Sequence, residues 1–411
     1  MIRKAILFLF ICAVNQTISK AADYDTVYHQ VIFDNVVVNF DEKQNPGAIF
    51  ERNGMIIMAN GRILLKKVAL PRNRRDARAI VSVKLASNGD PWDKAGSLFV
   101  IPAATSSSMM DVARGTAPYP VANGDLEKTL RGMIPDKGYL PPVELMRFMT
   151  PFGVGYYNPK DSVQREQITP VYIDGFAENV EWVDDITDRL PLLQEQDSVY
   201  VGLAIDSWLP TGYKVTAQIT MTESNVKGNR AKKRHVLPLC NTLAYYLQDY
   251  CDYFAKRPLI LDFDLPKNCK DATLYYIVSG HGGHSGGDEF TPCENILQLD
   301  GREILRYTPW RNDCATFRRL NPSTGVWLQK RQVRYISPKG RAVKEIEEPV
   351  ASSDKSRSNW CPGSMVPPLA IPLKNLGKGR HQASISIPKA QPSKGDLLNH
   401  WLVSAWIVWE E

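Results

Sequence analysis

The chain has 411 residues and a formal net charge of +6, with 44% hydrophobic and 23% charged residues. This length suggests two domains. The mild charge argues against a nucleic-acid-binding protein, because the basic runs at 72–78 and 227–234 contain no interleaved aromatic residues of the kind that single-strand binders use. We interpret these runs as a loop and a linker.

The segment 1–21 is typical of a secretory signal peptide. Arg3 and Lys4 precede an apolar run over 5–14, and small residues at 19–21 precede a cleavage site. The run is too short to span a bilayer, and no second stretch of about 18 apolar residues is found. We therefore expect a secreted or periplasmic protein without an integral membrane span, with a retained N-terminal anchor as the alternative. Loss of the three basic residues of this segment leaves a formal charge of +3.

Short alternating segments separated by Gly, Pro, Asn and Asp dominate the rest of the chain and predict β-strands. The predicted strands are 27–40, 55–66, 79–85, 97–101, 198–208, 214–221, 259–263, 273–278, 295–299, 383–387 and 401–409. One short helix is predicted at 184–193, and 311–360 is predicted to be rich in loops. The strands 273–278 and 295–299 are predicted to be neighbours in a hairpin.

The pattern predicts an all-β protein of two β-sandwiches. The N-terminal sandwich occupies 22–225, with a loop insertion at 104–143. A linker at 226–235 leads to the C-terminal sandwich at 236–411.

Six cysteines remain beyond the signal peptide, and all of them lie in the second half of the chain: Cys240, Cys251, Cys269, Cys293, Cys314 and Cys361. An even number in an exported chain indicates disulfides, and six cysteines allow about fifteen pairings. The first half is expected to be held together by burial alone.

A Gly-rich segment at 279–290 contains two histidines and two carboxylates. Its glycines permit positive φ and suit a concave surface that a ligand approaches closely. His281 and His284 have a spacing that copper or zinc accepts, but no third ligand is identifiable, so we expect no metal. A hairpin tip with solvated charges is the alternative. A catalytic serine is not indicated, because no Gly-x-Ser-x-Gly elbow is present.

Three further groups combine acids or a base with tryptophan. They are the turn 88–94 with Trp92, the strand end with Asp206 and Trp208, and the segment 357–363. Taken alone, the first is also compatible with an ordinary surface turn, the second with a surface acid and the third with a structural corner. Together they supply carboxylates that activate water, indole rings that suit sugar faces, and an arginine with a rigid fork of donors.

These groups resemble motifs of the bacterial peptide-N-glycosidase F family, whose secreted members remove whole N-glycans from glycoproteins. The segment 356–367, Ser-Arg-Ser-Asn-Trp-Cys-Pro-Gly-Ser-Met-Val-Pro, is similar to the family's Arg-x-x-Trp-Cys-Pro-Gly-Met-x-Val-Pro. The segments 277–282 and 147–155 resemble its Ile-Ser-Gly-Trp-Gly-His and Arg-Phe-Ile-Thr-Pro-Tyr-x-Val-Gly. The segments 92–94 and 206–208 resemble its Trp-Asp-Arg and Glu-Thr-Trp. The matches run in order from about residue 25 to the C-terminus and leave out 104–143 and 325–355.

The resemblance implies two jelly-roll-like antiparallel β-sandwich domains packed side by side, with the site in the cleft between them. It implies hydrolysis of the amide between asparagine and the first N-acetylglucosamine, which gives a glycosylamine and aspartate. The implied partners are N-glycosylated proteins or glycopeptides. No cofactor or metal is expected, and we expect a monomer.

The resemblance also implies roles for individual residues. Asp93 engages the scissile amide and its water as general base or proton shuttle, while Glu289 and Asp206 hold the core sugars and the water. The expected substrate-binding or supporting residues are Trp92, Lys94, Trp208, His281, Arg357 and Trp360. A Cys314–Cys361 disulfide is implied by the family pattern. The pairings Cys240–Cys251 and Cys269–Cys293 are guesses from proximity and from what remains.

The chain departs from the family pattern at three site positions. Asp206 replaces glutamate, which draws the carboxylate back by about 1.5 Å, and a misplacement near 1 Å costs on the order of 100-fold in rate. His281 replaces tryptophan, and Lys94 replaces arginine and loses its bidentate fork. We expect these changes to affect substrate range more than reaction type, because Asp93, Glu289 and Arg357 are retained.

Two rival functions are compatible with paired β-sandwiches. A non-catalytic glycan-binding protein would keep the aromatic residues but has no need of Asp93 opposite Glu289. A copper monooxygenase needs histidines in both domains, and only His29 precedes the linker.

Overall fold

The structure is a computed structural model that describes residues 23–103, 106–118, 132–136, 138–157, 160, 173, 175–243, 252–282, 286–395 and 397–411. The predicted signal peptide, much of the predicted insertion, His284 and Cys251 lie outside these residues. Among them, no helix is long and apolar enough to cross a membrane.

The fold is all-β, with two jelly-roll-like antiparallel β-sandwiches packed side by side, as predicted. The strands of the N-terminal half are β1 (Tyr24–Val38), β2 (Ile49–Arg52), β3 (Met55–Met58), β4 (Ile63–Val68), β5 (Ala77–Ser87), β6 (Ala95–Ile101), β7 (Val143–Met149), β8 (Val180–Asp185), β9 (Val199–Ile205) and β10 (Tyr213–Ser224). The strands of the C-terminal half are β11 (Arg234–Asn241), β12 (Leu259–Leu265), β13 (Cys269–His281), β14 (Asn295–Leu299), β15 (Arg302–Tyr307), β16 (Val326–Ser337), β17 (Gly340–Ala351), β18 (Leu369–Leu376), β19 (Gly379–Ser386) and β20 (His400–Glu410). Short helical segments are Ala59–Gly61, Met109–Ala113, Leu190–Leu193, Tyr253–Lys256, Cys314–Leu320 and Ser352–Asp354. The domain boundaries at 225 and 236 stay a prediction.

The N-terminal half packs a four-stranded sheet, in the order β1-β10-β5-β8, against a six-stranded sheet, in the order β2-β3-β4-β9-β6-β7. Their alternating apolar residues meet in one core: Val81 and Ile219 face Leu98 and Leu203 from the other sheet. This arrangement accounts for the period of two in β5 and β10, since one face is buried and the other is more exposed, whereas β6 and β7 are buried on both faces.

In the C-terminal half, the sheet β11-β20-β13-β18 faces the sheet β12-β19-β14-β15. Strand β20 is buried along nearly its whole length. Trp406 and Val408 pack into the N-terminal core, whereas Val403 and Ile407 pack into the C-terminal core. The last strand is therefore a continuous apolar run because it has a core on each face.

Several predicted connections are wrong. Strands β13 and β14 are not hairpin partners, because β13 pairs with β18 and β20 while β14 lies in the facing sheet. The apolar period identifies a strand but not its partner, and the Gly-rich segment is long enough to cross the ~10 Å between packed sheets. The predicted strand 55–66 is two strands, separated by a turn at Asn60-Gly61 where both residues have positive φ.

Two other regions also differ from the prediction. The region 311–360 contains the long hairpin β16–β17, whose strands are exposed on both faces and so lack an apolar alternation. The predicted helix at 184–193 begins as strand β8 and is helical only at Leu190–Leu193.

One disulfide, Cys314–Cys361, is present as expected. The suggested Cys269–Cys293 pairing is wrong, because both residues are buried free cysteines. Cys269 begins β13, whereas Cys293 follows the segment that leaves the other end of that strand, and a disulfide needs Cα atoms within about 7 Å. Cys240 is also a buried thiol, and its suggested partner Cys251 lies outside the described residues.

Replacing both disulfide cysteines by serine, C314S/C361S, is expected to lower the free energy of unfolding by about 4 kcal/mol, because the bond closes a loop spanning 47 residues. Denaturant unfolding of both proteins measures this. Wild-type protein unfolded with a reductant present serves as the control and should match the variant. Equal stability of the oxidised wild type and the variant would contradict the expectation.

Candidate active site

Three predicted site residues meet in one cluster, which we call the Arg357 cluster: Asp93, Glu289 and Arg357. Arg357 Nε donates to Glu289 Oε1 at 2.7 Å, and its Nη2 lies 3.7 Å from Asp93 Oδ2. The arginine side chain is almost wholly buried, and the carboxylates are mostly buried. The three residues come from three separate segments and from both halves of the chain.

The turn before β6 positions Asp93 through the buried carboxylate of Asp90. Asp90 Oδ1 accepts the backbone N–H of Trp92 at 3.0 Å, and Oδ2 accepts the Ser207 hydroxyl at 2.7 Å. The Trp92 carbonyl accepts the hydroxyl groups of Thr150 and Tyr213. The turn is thus held by the residues that follow β7 and β9 and by the first residue of β10.

Arg357 is held by backbone oxygens and by two aromatic rings. Its Nη1 donates to the carbonyls of Ser352 at 2.7 Å and Lys355 at 3.0 Å. Its guanidinium lies 4.9 Å from the centroid of Trp360 and 5.0 Å from that of Phe290, where cation–π attraction is favourable. These contacts leave the arginine fork only one orientation toward the acids.

The chain beyond Arg357 is fastened to the N-terminal half, which brings the two sides of the site together. The backbone N–H of Met149 donates to Ser364 O at 2.9 Å, and that of Val366 donates to Arg147 O at 2.9 Å. The Trp182 indole donates to Gly363 O at 2.8 Å. The Trp-Cys-Pro-Gly corner therefore joins the two sandwiches beside the site.

Glu289 lies in the Gly-rich segment that follows β13. Its N–H donates to Gly282 O at 3.3 Å, and its carbonyl accepts the N–H of Ser358 at 2.9 Å. Gly282 has φ +85 and a Cβ there would lie 2.0 Å from Leu398 O, so only glycine fits. The Gly-rich segment and the segment around Arg357 are thus joined by backbone hydrogen bonds.

A second group surrounds Asp206 and includes a residue that sequence analysis missed, Arg62. The Arg62 guanidinium lies 4.5 Å from the ring centroid of Trp208 and 4.9 Å from that of Phe40. Its Nη1 is 3.9 Å from Asp206 Oδ1. The Asn60-Gly61 turn places Arg62 immediately before β4. This turn pair is the sequence feature that could have drawn attention to Arg62.

The charge of Lys94 links the two groups. Burial raises the pKa of Asp93 and of Asp206, and the charge of Lys94 opposes that rise at both, so Lys94 lies within electrostatic reach of each carboxylate. Two indole rings flank these acids on the surface, since Trp92 is 55% exposed and Trp208 is 50% exposed. The acids therefore lie beside two accessible aromatic faces, which suit the apolar faces of sugars.

His281 and Trp360 lie behind the Arg357 cluster. The His281 ring stacks between Trp360 and His400, with centroids 5.2 and 5.3 Å away, and its Nε2 is 2.8 Å from Ser279 Oγ. Burial lowers the pKa of His281 well below its ordinary value, and the charge of His400 acts in the same direction. The buried, neutral imidazole packs on Trp360, and the Trp360 ring in turn packs on the Arg357 guanidinium.

Burial shifts the acids toward their neutral forms. It raises the pKa of Glu289 from its ordinary value of 4.5 to about 7, with Arg357 lowering it and Asp93 raising it. Burial raises the pKa of Asp93 against the opposing charges of Arg357 and Lys94. It raises the pKa of Asp206 from 3.8 to about 6. Near neutral pH such acids can accept or donate a proton, which suits general acid–base chemistry.

The raised pKa of Glu289 predicts a loss of stability with rising pH. The folded protein holds this proton to about pH 7, whereas the unfolded chain releases it near 4.5, so the free energy of unfolding falls over that window. The variant Glu289→Gln lacks this effect. We therefore expect the free energy of unfolding of the variant, relative to that of the wild type, to increase between pH 4.5 and 7. Denaturant unfolding across this pH range measures it, and a constant difference between the two proteins would contradict the raised pKa of Glu289.

Comparison with known proteins gives matches over most of the chain. The family models described as Peptide-N-glycosidase F, N terminal and C terminal match residues 30–221 and 249–408. PNGF-II, whose structure is solved, has 30% sequence identity with this chain and a TM-score of 0.76. The match covers 97% of this chain and 68% of the PNGF-II chain. PNGase F, a glycosylasparaginase from Flavobacterium meningosepticum, matches at 15% identity with a TM-score of 0.57 over 94% of this chain and 96% of that one. The latter likeness concerns the fold alone. A comparison with curated proteins found no match.

Proposed function

The chain belongs to the peptide-N-glycosidase F family, and on this premise we propose that it is an exported amidase. It hydrolyses the bond between asparagine and the first N-acetylglucosamine of N-glycans on glycoproteins or glycopeptides. The products are a glycosylamine and a peptide in which aspartate replaces asparagine.

The observation that carries this proposal is the convergence of Asp93 and Glu289 on Arg357 from both halves of the chain. Two buried acids around one fixed cation supply a proton acceptor, a proton donor and a hydrogen-bonding fork within one small volume. The exposed rings of Trp92 and Trp208 supply surfaces that suit sugar rings. Amide hydrolysis beside a sugar needs each of these elements.

In this mechanism Asp93 accepts a proton from the attacking water or shuttles one to the leaving nitrogen. Arg357 fixes the positions of Asp93 and Glu289 and presents a rigid guanidinium to the substrate. Glu289 and Asp206 hold the water and the core sugars by hydrogen bonds. The positive charge of Lys94 favours the ionised forms of both Asp93 and Asp206.

The chain's apolar N-terminal segment and the Cys314–Cys361 disulfide support export. Expression with residues 1–21 present should give protein outside the cytoplasm that lacks these residues. Mass determination of the exported protein tests this, and a cytoplasmic protein of full length would contradict it.

The deciding experiment treats an N-glycopeptide with the purified protein and determines the masses of the products. Amide cleavage leaves the peptide about 1 Da heavier than the asparagine form, because a side-chain NH2 is replaced by OH. A peptide that keeps one N-acetylglucosamine would show an endoglycosidase instead. A bound but unaltered glycopeptide would favour the glycan-binding alternative.

A further inference from the structure

We propose that the hairpin β16–β17, residues 326–351, is an arm that docks the polypeptide of the glycoprotein substrate next to the active site. The inference rests on the proposed function, because it names a second contact surface for the same substrate. We call this hairpin the substrate arm.

The base of the substrate arm is continuous with the Arg357 cluster. The Trp327 ring lies 5.8 Å from Phe290, and Phe290 in turn packs on the Arg357 guanidinium. The Lys355 ammonium lies 3.7 Å from the Trp327 ring centroid. The arm therefore begins one side chain away from the arginine that holds the two acids.

The exit of the arm also leads directly to Arg357. Ser352, the residue after β17, accepts from Arg357 Nη1 through its carbonyl. Its N–H donates to Gly325 O at 2.8 Å, which closes the arm where it leaves the sandwich. The arm is thus built onto the site rather than onto a remote surface.

The outer part of the arm contributes no strand to either sandwich. In the described part of the chain, β16 and β17 pair only with each other. Strands of 12 residues extend about 40 Å at the usual rise per residue. A lone two-stranded hairpin is marginally stable in water, so its length is not explained by the stability of the fold.

The outer surface of the arm fits a polypeptide better than a glycan. Leu328, Ile336 and Val343 are 70%, 86% and 60% exposed, and the pairing register places them on one face. Such saturated side chains lack the flat ring that stacks on the apolar face of a sugar. The rings of Trp327 and Tyr335, which would suit a sugar, share the opposite face, and lysines 355 and 344 lie over them.

The backbone and the charge of the arm point to the same occupant. Each strand has one edge without a strand partner in the described residues, and an extended peptide can pair with such an edge. The segment 326–351 contains six basic and three acidic residues, a net charge of +3. We therefore infer docking of an extended, preferably acidic segment next to the glycosylated asparagine.

A shortened arm tests the proposal. Residues 328–349 are replaced by Asn-Gly, which bridges Trp327 and Val350 because these residues are paired across the hairpin and Val350, unlike Pro349, has a backbone N–H to close the turn. Trp327 and Ser352 stay in place. The substrates are a reduced and alkylated N-glycoprotein and a short glycopeptide cut from it around the same asparagine with the same glycan.

We expect kcat/KM for the glycoprotein to fall about tenfold or more, the equivalent of roughly 1.4 kcal/mol of lost binding, while that for the short glycopeptide stays near wild type. An equal fall on both substrates, or no fall on the glycoprotein, would overturn the proposal. A shift of the protein from dimer to monomer on shortening, seen by size-exclusion chromatography, would assign the arm to self-association instead.

A pair of matched double variants tests the face. I336S/V343S alters the exposed aliphatic face, and V333S/I346S removes the same two residue types from the face that carries Trp327. The first variant should lose activity on the glycoprotein and the second should keep it. The reverse order, or equal losses, would contradict docking on the aliphatic face.

A binding measurement separates this inference from the proposed function. The sugar-free form of the same unfolded protein is immobilised, and retention of the wild type and of the shortened variant is compared. Retention of the wild type alone supports the arm even if the chain were to cleave no N-glycan. No retention of either protein would overturn the arm while leaving the amidase assignment standing.

Discussion

The variant Asp93→Asn is expected to lower kcat for release of N-glycans by about 10³-fold at pH 7, within the range that a general acid–base group supplies. Asparagine keeps the size of the side chain but cannot accept a proton from water. The substitution is nearly isosteric, and Arg357 keeps its hydrogen bonds to Glu289, Ser352 and Lys355, so the fold should stay intact. Initial rates on a glycopeptide, with circular dichroism as the check on folding, measure this.

Asp262→Asn is the matched control, because Asp262 lies on β12 with a half-exposed side chain outside the Arg357 cluster. It should retain wild-type activity. Near-normal turnover by the Asp93 variant would remove Asp93 from the chemistry. If both the wild type and the variant bind sugar but neither turns it over, the chain is a glycan-binding protein instead.

The variant Arg357→Met is expected to abolish most activity and to lower the free energy of unfolding by about 3–5 kcal/mol, as when one partner of a buried ion pair is removed. Without the cation, Asp93 and Glu289 lose the opposing charge that they share, so both pKa values should rise further. Any remaining activity should therefore have its pH dependence shifted to higher pH. Denaturant unfolding and a pH–rate profile measure the two effects.

Arg311→Met is the control for this variant. The backbones of Arg311 and Arg357 pair with each other, but the Arg311 side chain pairs with Asp313 at the surface. A surface ion pair is worth about 1 kcal/mol or less, so the control should be nearly as stable and active as wild type. Similar losses in both variants would mean that Arg357 acts through folding alone.

The sequence pointed to the two candidate acids and to Arg357 because each lies in a local pattern. Asp93 is in a tight turn beside a tryptophan, Glu289 is in a Gly-rich segment, and Arg357 precedes the Trp-Cys-Pro-Gly corner. Arg62 and Phe290 were missed although Arg62 follows the Asn60-Gly61 turn and Phe290 ends the Gly-rich segment, because neither residue type there indicates a contact with a distant side chain. Their roles come from rings and charges supplied by other segments.

The same limit explains the wrong connections. An apolar period of two shows which residues share a face, but it says nothing about which strand lies alongside. Strands β13 and β14 were thus assigned correctly and paired wrongly. Cys269 and Cys293 were paired for the same reason, since proximity in sequence stood in for proximity in space.

By itself, the sequence determined the all-β class and most strand positions, because burial of alternate side chains leaves a local record in the chain. Only the tertiary structure decided that Asp93, Glu289 and Arg357 share one cluster and that residues 326–351 form an arm beside it. These contacts join residues that are far apart in the sequence. Their geometry depends on how two separate cores pack around β20, and no local pattern encodes that packing.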